Sequence, residues 1–158
     1  MQKVTPFLWF DAEAVDAAEH YVSLFPNSSI TNVSRYPEGG PRPAGEPFGV
    51  DFVLDGGEFR AINAGPGHPF TEAISLFVSV ETQDEVDRLW DGLIAGGGEP
   101  SRCGWLKDRW GLSWQIVPTI LGEVLTGPDP AGASRAMEAM MGMDKLDIAA
   151  LRAAYDGV

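Results

Sequence analysis

The hydrophobic and polar positions of this chain repeat one pattern twice. In the first half, residues 4–10 form an apolar run ended by Asp11, which is typical of a buried strand. Residues 12–25 then carry helix formers with apolar positions at helical spacing, up to a Pro-Asn stop. Stretches of loosely alternating polarity follow and predict three strands, at residues 28–36, 48–54 and 59–64. The first half therefore predicts a βαβββ module.

The second half restarts the same order. Residues 75–80 predict a strand that again ends in an acid, and residues 83–95 predict a helix closed by three glycines. The apolar side of that helix is expected to consist of Val86, Leu89, Trp90 and Leu93. Strands are predicted at residues 100–107 and 112–118, with a short strand or 3₁₀ turn at 120–125. Because one βαβββ module cannot cover its own sheet face, the repeat indicates paired modules.

The last part of the chain is predicted to be helical. After Gly-Pro-Asp-Pro at residues 127–130, an apolar stripe is expected at Ala133, Met137, Met140 and Met141. Asp144 is expected to cap a last helix, whose apolar side comprises Leu146, Ala150, Leu151 and Tyr155. Such stripes usually pack in a core, and a dimer contact is the alternative.

These elements predict an α+β fold of two βαβββ modules with mixed sheets, followed by C-terminal helices. The modules are placed at residues 1–70 and 71–127 and the helical segment at 128–158, all within one compact domain. With 158 residues, 44% of them hydrophobic, the chain can bury a sizeable core.

Charge and cysteine content limit the classes of binding partner and the cellular compartment that are expected for this chain. There are 23 acidic and 11 basic residues, a net charge of -12, and no cluster of lysines or arginines. This argues against nucleic acid and against an anionic membrane surface as partners. Cys103 is the single cysteine, no apolar stretch could span a bilayer, and the N-terminus lacks a signal-peptide pattern. We expect a cytoplasmic protein.

One stretch of the chain points to a family. Residues 103–118, CGWLKDRWGLSWQIVP, resemble the most recognisable segment of the PhnB-like proteins of the vicinal-oxygen-chelate (glyoxalase/bleomycin-resistance) superfamily. Shorter matches occur at residues 5–10, 21–26, 62–66 and 72–75. The resemblance implies two βαβββ modules whose sheets curl around a cavity, frequent homodimers and, in many members, a metal ion held by four inward side chains.

Carried onto this chain, those four metal positions fall on Thr5, on Ala61 or Asn63, on Ser75 and on Gln115. Only Gln115 is a usual ligand type in such a site. A divalent ion needs imidazole or carboxylate donors, so we predict no metal and no cofactor.

Without a metal, the cavity is predicted to bind a small molecule. Aromatic side chains would supply stacking surface, amides and hydroxyls would orient the ligand, and His68 lies in a loop that could close over the pocket. The candidate pocket residues are Phe7, Trp9, Asn63, His68, Ser75, Phe77, Trp105 and Gln115.

Several alternatives stay open at this stage. The leading hypothesis is a metal-independent, homodimeric small-molecule-binding protein, and the second is an enzyme of the same superfamily assisted by His68 or by a weakly held ion. A purely structural module is the third. Relatives often carry a demethylubiquinone methyltransferase label, which the sequence does not support, because residues 96–98 close a helix where a cofactor-binding turn would open one. Lys107 and Arg109 belong to a charged hairpin turn, or reach an anionic substrate at the cavity mouth.

Overall fold

The computed structural model describes residues 2–158, which divide into two compact units. One unit extends to Pro69, and the other runs from Phe70 to Val158. Each unit contains one four-stranded sheet that combines parallel and antiparallel pairing. The predicted α+β class and the mixed sheets are confirmed. No helix among these residues combines the length and apolarity needed to cross a bilayer.

The first unit is a βαβββ module. Its strand order is β1-β4-β3-β2, with β1 parallel to β4 and the other neighbours antiparallel. The elements are β1 (Phe7–Phe10), α1 (Ala14–Leu24), β2 (Ser29–Arg35), β3 (Pro47–Leu54) and β4 (Gly57–Asn63).

Small side chains on α1 let the helix lie close to this sheet. Its buried residues are Ala14, Ala17, Ala18 and Tyr21. The Tyr21 ring lies 6.4 Å from that of Phe52 on β3, measured between centroids. Successive residues of a strand point to opposite faces, so each strand has one face toward α1 and one open face.

The second unit repeats the module and adds three helices. Its strand order is β5-β8-β7-β6, with β5 parallel to β8. The elements are β5 (Ser75–Val80), α2 (Gln83–Ile94), β6 (Glu99–Pro100), β7 (Trp105–Lys107), β8 (Ser113–Pro118), α3 (Ile120–Leu125), α4 (Pro130–Met141) and α5 (Ile148–Asp156).

Helix α2 begins with a capping box that explains its sharp start. The Thr82 hydroxyl accepts a hydrogen bond from the Glu85 backbone N–H, and the Glu85 carboxylate accepts from the N–H groups of Glu81 and Thr82. These backbone bonds, first that from Glu81, lower the pKa of Glu85. The buried side of α2 is the predicted one, with Val86, Leu89, Trp90 and Leu93.

The predicted strand at 100–107 is interrupted in the structure. Cys103 and Gly104 both have left-handed backbone conformations, with φ of 58° and 86°. Such residues cannot continue a strand, so β6 and β7 flank a turn. The turn is held from the C-terminal segment, because the N–H groups of Cys103 and Gly104 donate to the carbonyls of Met143 and Asp144 at 2.8 Å.

Three predictions for the C-terminal region were wrong. Residues 120–125 form α-helix α3 and neither a strand nor a 3₁₀ turn. The last helix is capped by Asp147, whose side chain accepts from the Ala150 N–H, and not by Asp144. On α4 the buried side contains Ala136, while Met137 and Met141 are 42% and 62% exposed.

A small apolar cluster joins the three added helices. Its buried members are Ile120 and Val124 on α3 and Ala136 on α4. Leu125, Ile148 and Tyr155 pack against them while remaining partly accessible. The predicted methionine stripe is not the buried side of α4, because Ala136 lies on the helix face that packs against the neighbouring helices.

Candidate functional site

Four of the predicted pocket residues share the open face of the sheet in the second unit. Strand pairing sets Phe77, Gln115 and Trp105 side by side in one row across β5, β8 and β7. Directly paired residues lie on the same face, and so does Ser75, two positions before Phe77. The Gln115 amide Nε2 donates to the Ser75 hydroxyl at 2.9 Å. Ser75, Phe77, Trp105 and Gln115 therefore lie on one surface of the sheet.

A pocket of about 390 Å³ lies beside this row. Trp105 and Leu106 contribute apolar wall, and Ser113 lies at its β8 side. Ser113 is 1% exposed, and its hydroxyl has no hydrogen-bond partner among the described residues. A buried hydroxyl without a hydrogen-bond partner is costly, so an acceptor atom that reached Ser113 from the pocket would relieve that cost. The full lining is Glu72, Ser101, Arg102, Cys103, Trp105, Leu106, Lys107 and Ser113.

An ion pair stands at the pocket. Lys107 Nζ lies 2.7 Å from Glu72 Oε1, with the two side chains 39% and 66% exposed. Hydrogen bonding to Lys107, reinforced by its charge, lowers the pKa of Glu72, and Glu72 raises the pKa of Lys107 in the same way. Both groups are charged at neutral pH. A second cation, Arg102, makes only a long contact of 4.0 Å with Asp144 at the surface.

The turn at Cys103 and Gly104 forms one wall of the pocket. A Cβ at Gly104 would lie 2.9 Å from the carbonyl oxygen of Ile116 and 3.0 Å from Leu146, so only glycine fits there. Cys103 is a half-buried free thiol. The pocket wall is thus fixed by contacts from far along the chain.

Asp108 has a structural role that the sequence interpretation missed. It is 2% exposed. Its Oδ1 accepts from the N–H groups of Trp110 and Leu112, and its Oδ2 accepts from Trp114 Nε1 at 3.0 Å. The signal was present, because an aspartate three residues before Gly111 is typical of a tight turn.

In the first unit, three predicted residues lie near one another on the open side. Phe7 and Trp9 are 59% and 36% exposed. The rings of Trp9 and His68 lie 4.3 Å apart between centroids, and Trp9 Nε1 donates to the Gly65 carbonyl at 2.8 Å. His68 therefore borders the exposed indole, as a loop residue covering an aromatic surface.

Comparison with known proteins identifies the family of this chain. A family model described as 3-demethylubiquinone-9 3-methyltransferase matches residues 2–117. The PhnB protein of Bacillus cereus is 37% identical over 75% of this chain and 100% of its own, with a TM-score of 0.69. The chain belongs to this PhnB-like family. Helices α3, α4 and α5 lie beyond the residues that the family model matches.

More distant structures share the fold of this PhnB-like chain. Protein PA1353 of Pseudomonas aeruginosa is 19% identical over 75% of this chain and 98% of its own, with a TM-score of 0.60. The fosfomycin resistance protein FosX of Listeria monocytogenes is 13% identical over 78% and 97%, with a TM-score of 0.51. At these identities the likeness concerns the fold alone. A search of curated proteins gives no match.

Asn63 lies on the other face of its sheet from the one expected for a pocket residue. It is 3% exposed, its Oδ1 accepts from the Ala14 N–H at 2.8 Å, and its Nδ2 donates to the Pro47 carbonyl at 3.2 Å. In β4, Ala61 and Asn63 alternate together toward the buried side. Asn63 thus anchors the first turn of α1, and its amide is used there.

The side chains at the expected metal positions of this PhnB-like chain do not fit a divalent ion. Ala61 has no donor atom, the Asn63 amide is committed to backbone groups, and Gln115 and Ser75 bond to each other. Neutral hydroxyls and amides also supply too little charge for such an ion. Within residues 2–158, no three His, Cys, Asp or Glu side chains are grouped to hold a metal.

Proposed function

We propose that this PhnB-like protein binds a small organic molecule in the pocket of its second unit. The main support for this proposal is the pocket of about 390 Å³ bordered by Trp105. It lies beside Phe77 and Gln115 on the open face of the sheet. Binding sites for small molecules are concave and mostly apolar, with a few polar groups that set orientation. Here an indole and a phenyl ring offer stacking surface, and Gln115, Ser75 and Ser113 offer polar contacts.

The fold and the family support this proposal. PhnB-like chains belong to the vicinal-oxygen-chelate superfamily, and the more distant structures that share the fold include a fosfomycin resistance protein. In the first unit, Phe7, Trp9 and His68 form a second aromatic surface that we assign to ligand binding as well. Asn63 is not part of this ligand-binding surface, because its amide is hydrogen-bonded to the backbone of Ala14 and Pro47.

The test is direct titration with small aromatic compounds. Isothermal titration calorimetry of the full chain should detect binding, and Trp105→Leu should weaken it about tenfold, because stacking and burial of one indole contribute roughly 1–2 kcal/mol. Trp110→Leu is the matched control, since Trp110 lies outside the pocket lining and its ring stacks under Arg109. Equal losses from both variants, or binding that survives Trp105→Leu, would contradict the assignment.

An enzyme of the same superfamily is the second candidate, and one observation favours it. The imidazole of His68 lies exposed against Trp9, in position to exchange a proton with a substrate bound at the aromatic surface of the first unit. Turnover of a carbonyl substrate that disappears in His68→Gln, with ligand binding retained, would support catalysis. Binding without turnover would leave the chain a binding protein.

The fold does not support the methyltransferase activity that the family description names. Both sheets of the described chain are four-stranded and mixed, with orders β1-β4-β3-β2 and β5-β8-β7-β6. A nucleotide-type cofactor fold needs a parallel sheet with a glycine-rich turn opening a helix, whereas residues 96–98 follow α2.

We also propose that the protein acts as a cytoplasmic homodimer. Phe7, Ile74 and Phe77 are each about 60% exposed, which is unusual for large apolar side chains and suits an interface or a ligand. The half-buried free Cys103 is compatible with a reducing compartment. Sedimentation equilibrium should give twice the mass of 17.0 kDa. A monomeric mass at micromolar concentration would remove this part of the proposal.

A further inference from the structure

We infer that the pocket of the second unit selects organic carboxylates, and that the ligand carboxylate replaces Glu72 on Lys107. The inference rests on the proposed binding function and names the ligand class of the same site. Three features carry it: the ion pair, the local charge and the unpartnered hydroxyl.

The first feature is the ion pair at the pocket. Lys107 Nζ and Glu72 Oε1 are 2.7 Å apart, so Lys107 already holds a carboxylate in a position that a ligand can reach. Glu72 belongs to the turn before β5 and to no helix or strand, and its side chain is 66% exposed. Glu72 can therefore leave Lys107 without disturbing secondary structure.

The second feature is charge. The chain as a whole carries -12, yet the charged residues lining this pocket are two cations, Arg102 and Lys107, and one anion, Glu72. When Glu72 moves away, Lys107 loses its ion-pair partner, while Arg102 keeps its 4.0 Å contact with Asp144. A single ligand carboxylate restores the original pairing on Lys107, because it is chemically the same group as the glutamate that it displaces.

The third feature identifies what else the ligand contacts. The hydroxyl of Ser113 is buried and has no hydrogen-bond partner in the described chain, and Ser113 is paired in register with Lys107. A carboxylate on Lys107 would present its second oxygen toward this neighbour and accept its hydrogen bond. Trp105 and Cys103 would pack on the ligand's apolar body. The pocket thus fits a flat apolar body carrying one carboxylate.

The experiment compares three probes that share one ring system: 2-naphthoate, neutral 2-naphthalenemethanol and the dianionic 2-naphthyl phosphate. Calorimetry at pH 7 and low ionic strength should show 2-naphthoate binding about tenfold more tightly than the alcohol, as expected for a partly exposed charge-assisted hydrogen bond. The phosphate should bind more weakly than the carboxylate.

Variants of the pair sharpen the test. Lys107→Met should abolish the preference for the carboxylate over the alcohol. Glu72→Gln removes the internal competitor and should strengthen 2-naphthoate binding about two- to fivefold, the size of an exposed ion pair. Lys145 and Asp87 form a matched pair in the same unit, 3.0 Å apart and outside the pocket lining. Lys145→Met and Asp87→Asn should leave binding unchanged.

The outcomes separate the inference from the function on which it rests. Equal binding of the carboxylate and the alcohol, with both sensitive to Trp105→Leu, overturns the carboxylate inference and supports the pocket. Weaker binding by Glu72→Gln overturns the displacement of Glu72. Tighter binding of the phosphate overturns the carboxylate class. Binding of none of the probes counts against the pocket and the inference together.

Discussion

Replacing Asp108 should destabilise the β7–β8 hairpin of the second unit, because this buried carboxylate holds three donors of the turn. The carboxylate is 2% exposed and accepts hydrogen bonds from Trp110 N–H, Leu112 N–H and Trp114 Nε1 at 2.9, 3.1 and 3.0 Å. Asp108→Ala leaves two of these donors buried without an acceptor, at about 1–3 kcal/mol each. Removing a buried charge offsets part of that loss. We expect a net loss of roughly 3 kcal/mol in the free energy of unfolding.

The conservative variant tests the geometry. Asp108→Asn keeps an acceptor for the two backbone donors but turns an N–H₂ group toward Trp114 Nε1, and should lose about 1–2 kcal/mol. Asp144→Ala is the control, because its side chain makes only a 4.0 Å surface contact with Arg102 and should change stability by less than about 1 kcal/mol. Urea unfolding followed by circular dichroism measures all three. A loss below about 1 kcal/mol for Asp108→Ala would refute the role of the carboxylate as the organiser of this turn.

Three further predictions follow from single positions. Gly104→Ala should lower the melting temperature in calorimetry more than Gly111→Ala, since both glycines have positive φ but only a Cβ at Gly104 would lie 2.9 Å from a carbonyl oxygen. Leu146→Ala removes a side chain that is 0% exposed and should lose about 2–5 kcal/mol in urea unfolding, whereas a loss below about 1 kcal/mol would contradict its burial. The pKa of Glu85 is lowered by backbone hydrogen bonds, so its contribution to stability is present above its ordinary value of 4.5 and is lost as the pH falls through the lower folded pKa. Melting curves of Glu85→Gln should therefore be lower than those of the wild type at neutral pH and converge with them in acid.

Strong, uninterrupted periodicity was enough to predict much of the fold. The predicted strand at 75–80 has the observed bounds of β5, and the predicted apolar side of α2 is the buried one. In α2 the apolar residues occur on one side only, and Thr82 with Glu85 defines the start, so local and tertiary preferences agree. Such segments can be assigned without knowledge of the rest of the chain.

The errors arose where local pattern allowed two answers. On α4, alanines and methionines at helical spacing define more than one apolar stripe, and only packing with α3 and α5 selects the one with Ala136. On β4, a shift of one residue exchanges the two faces, which is why Asn63 was expected in the pocket. The turn at Cys103 and Gly104 depends on carbonyl groups about 40 residues away, and no local signal could reveal them.

In the β7–β8 hairpin, one residue stabilises the fold and its neighbour is proposed to bind the ligand. Lys107 and Asp108 are adjacent, and successive side chains near a strand end point in opposite directions. Asp108 therefore turns inward to hold the loop, while the half-exposed Lys107 lines the pocket. Because both depend on one backbone, Asp108→Asn should lower stability and also weaken 2-naphthoate binding by displacing Lys107. Lys107→Met should weaken binding at unchanged stability. If Asp108→Asn lowered stability with full ligand affinity, the pocket would not depend on this turn for its shape, and recognition would have to reside in the β5 and β8 residues alone.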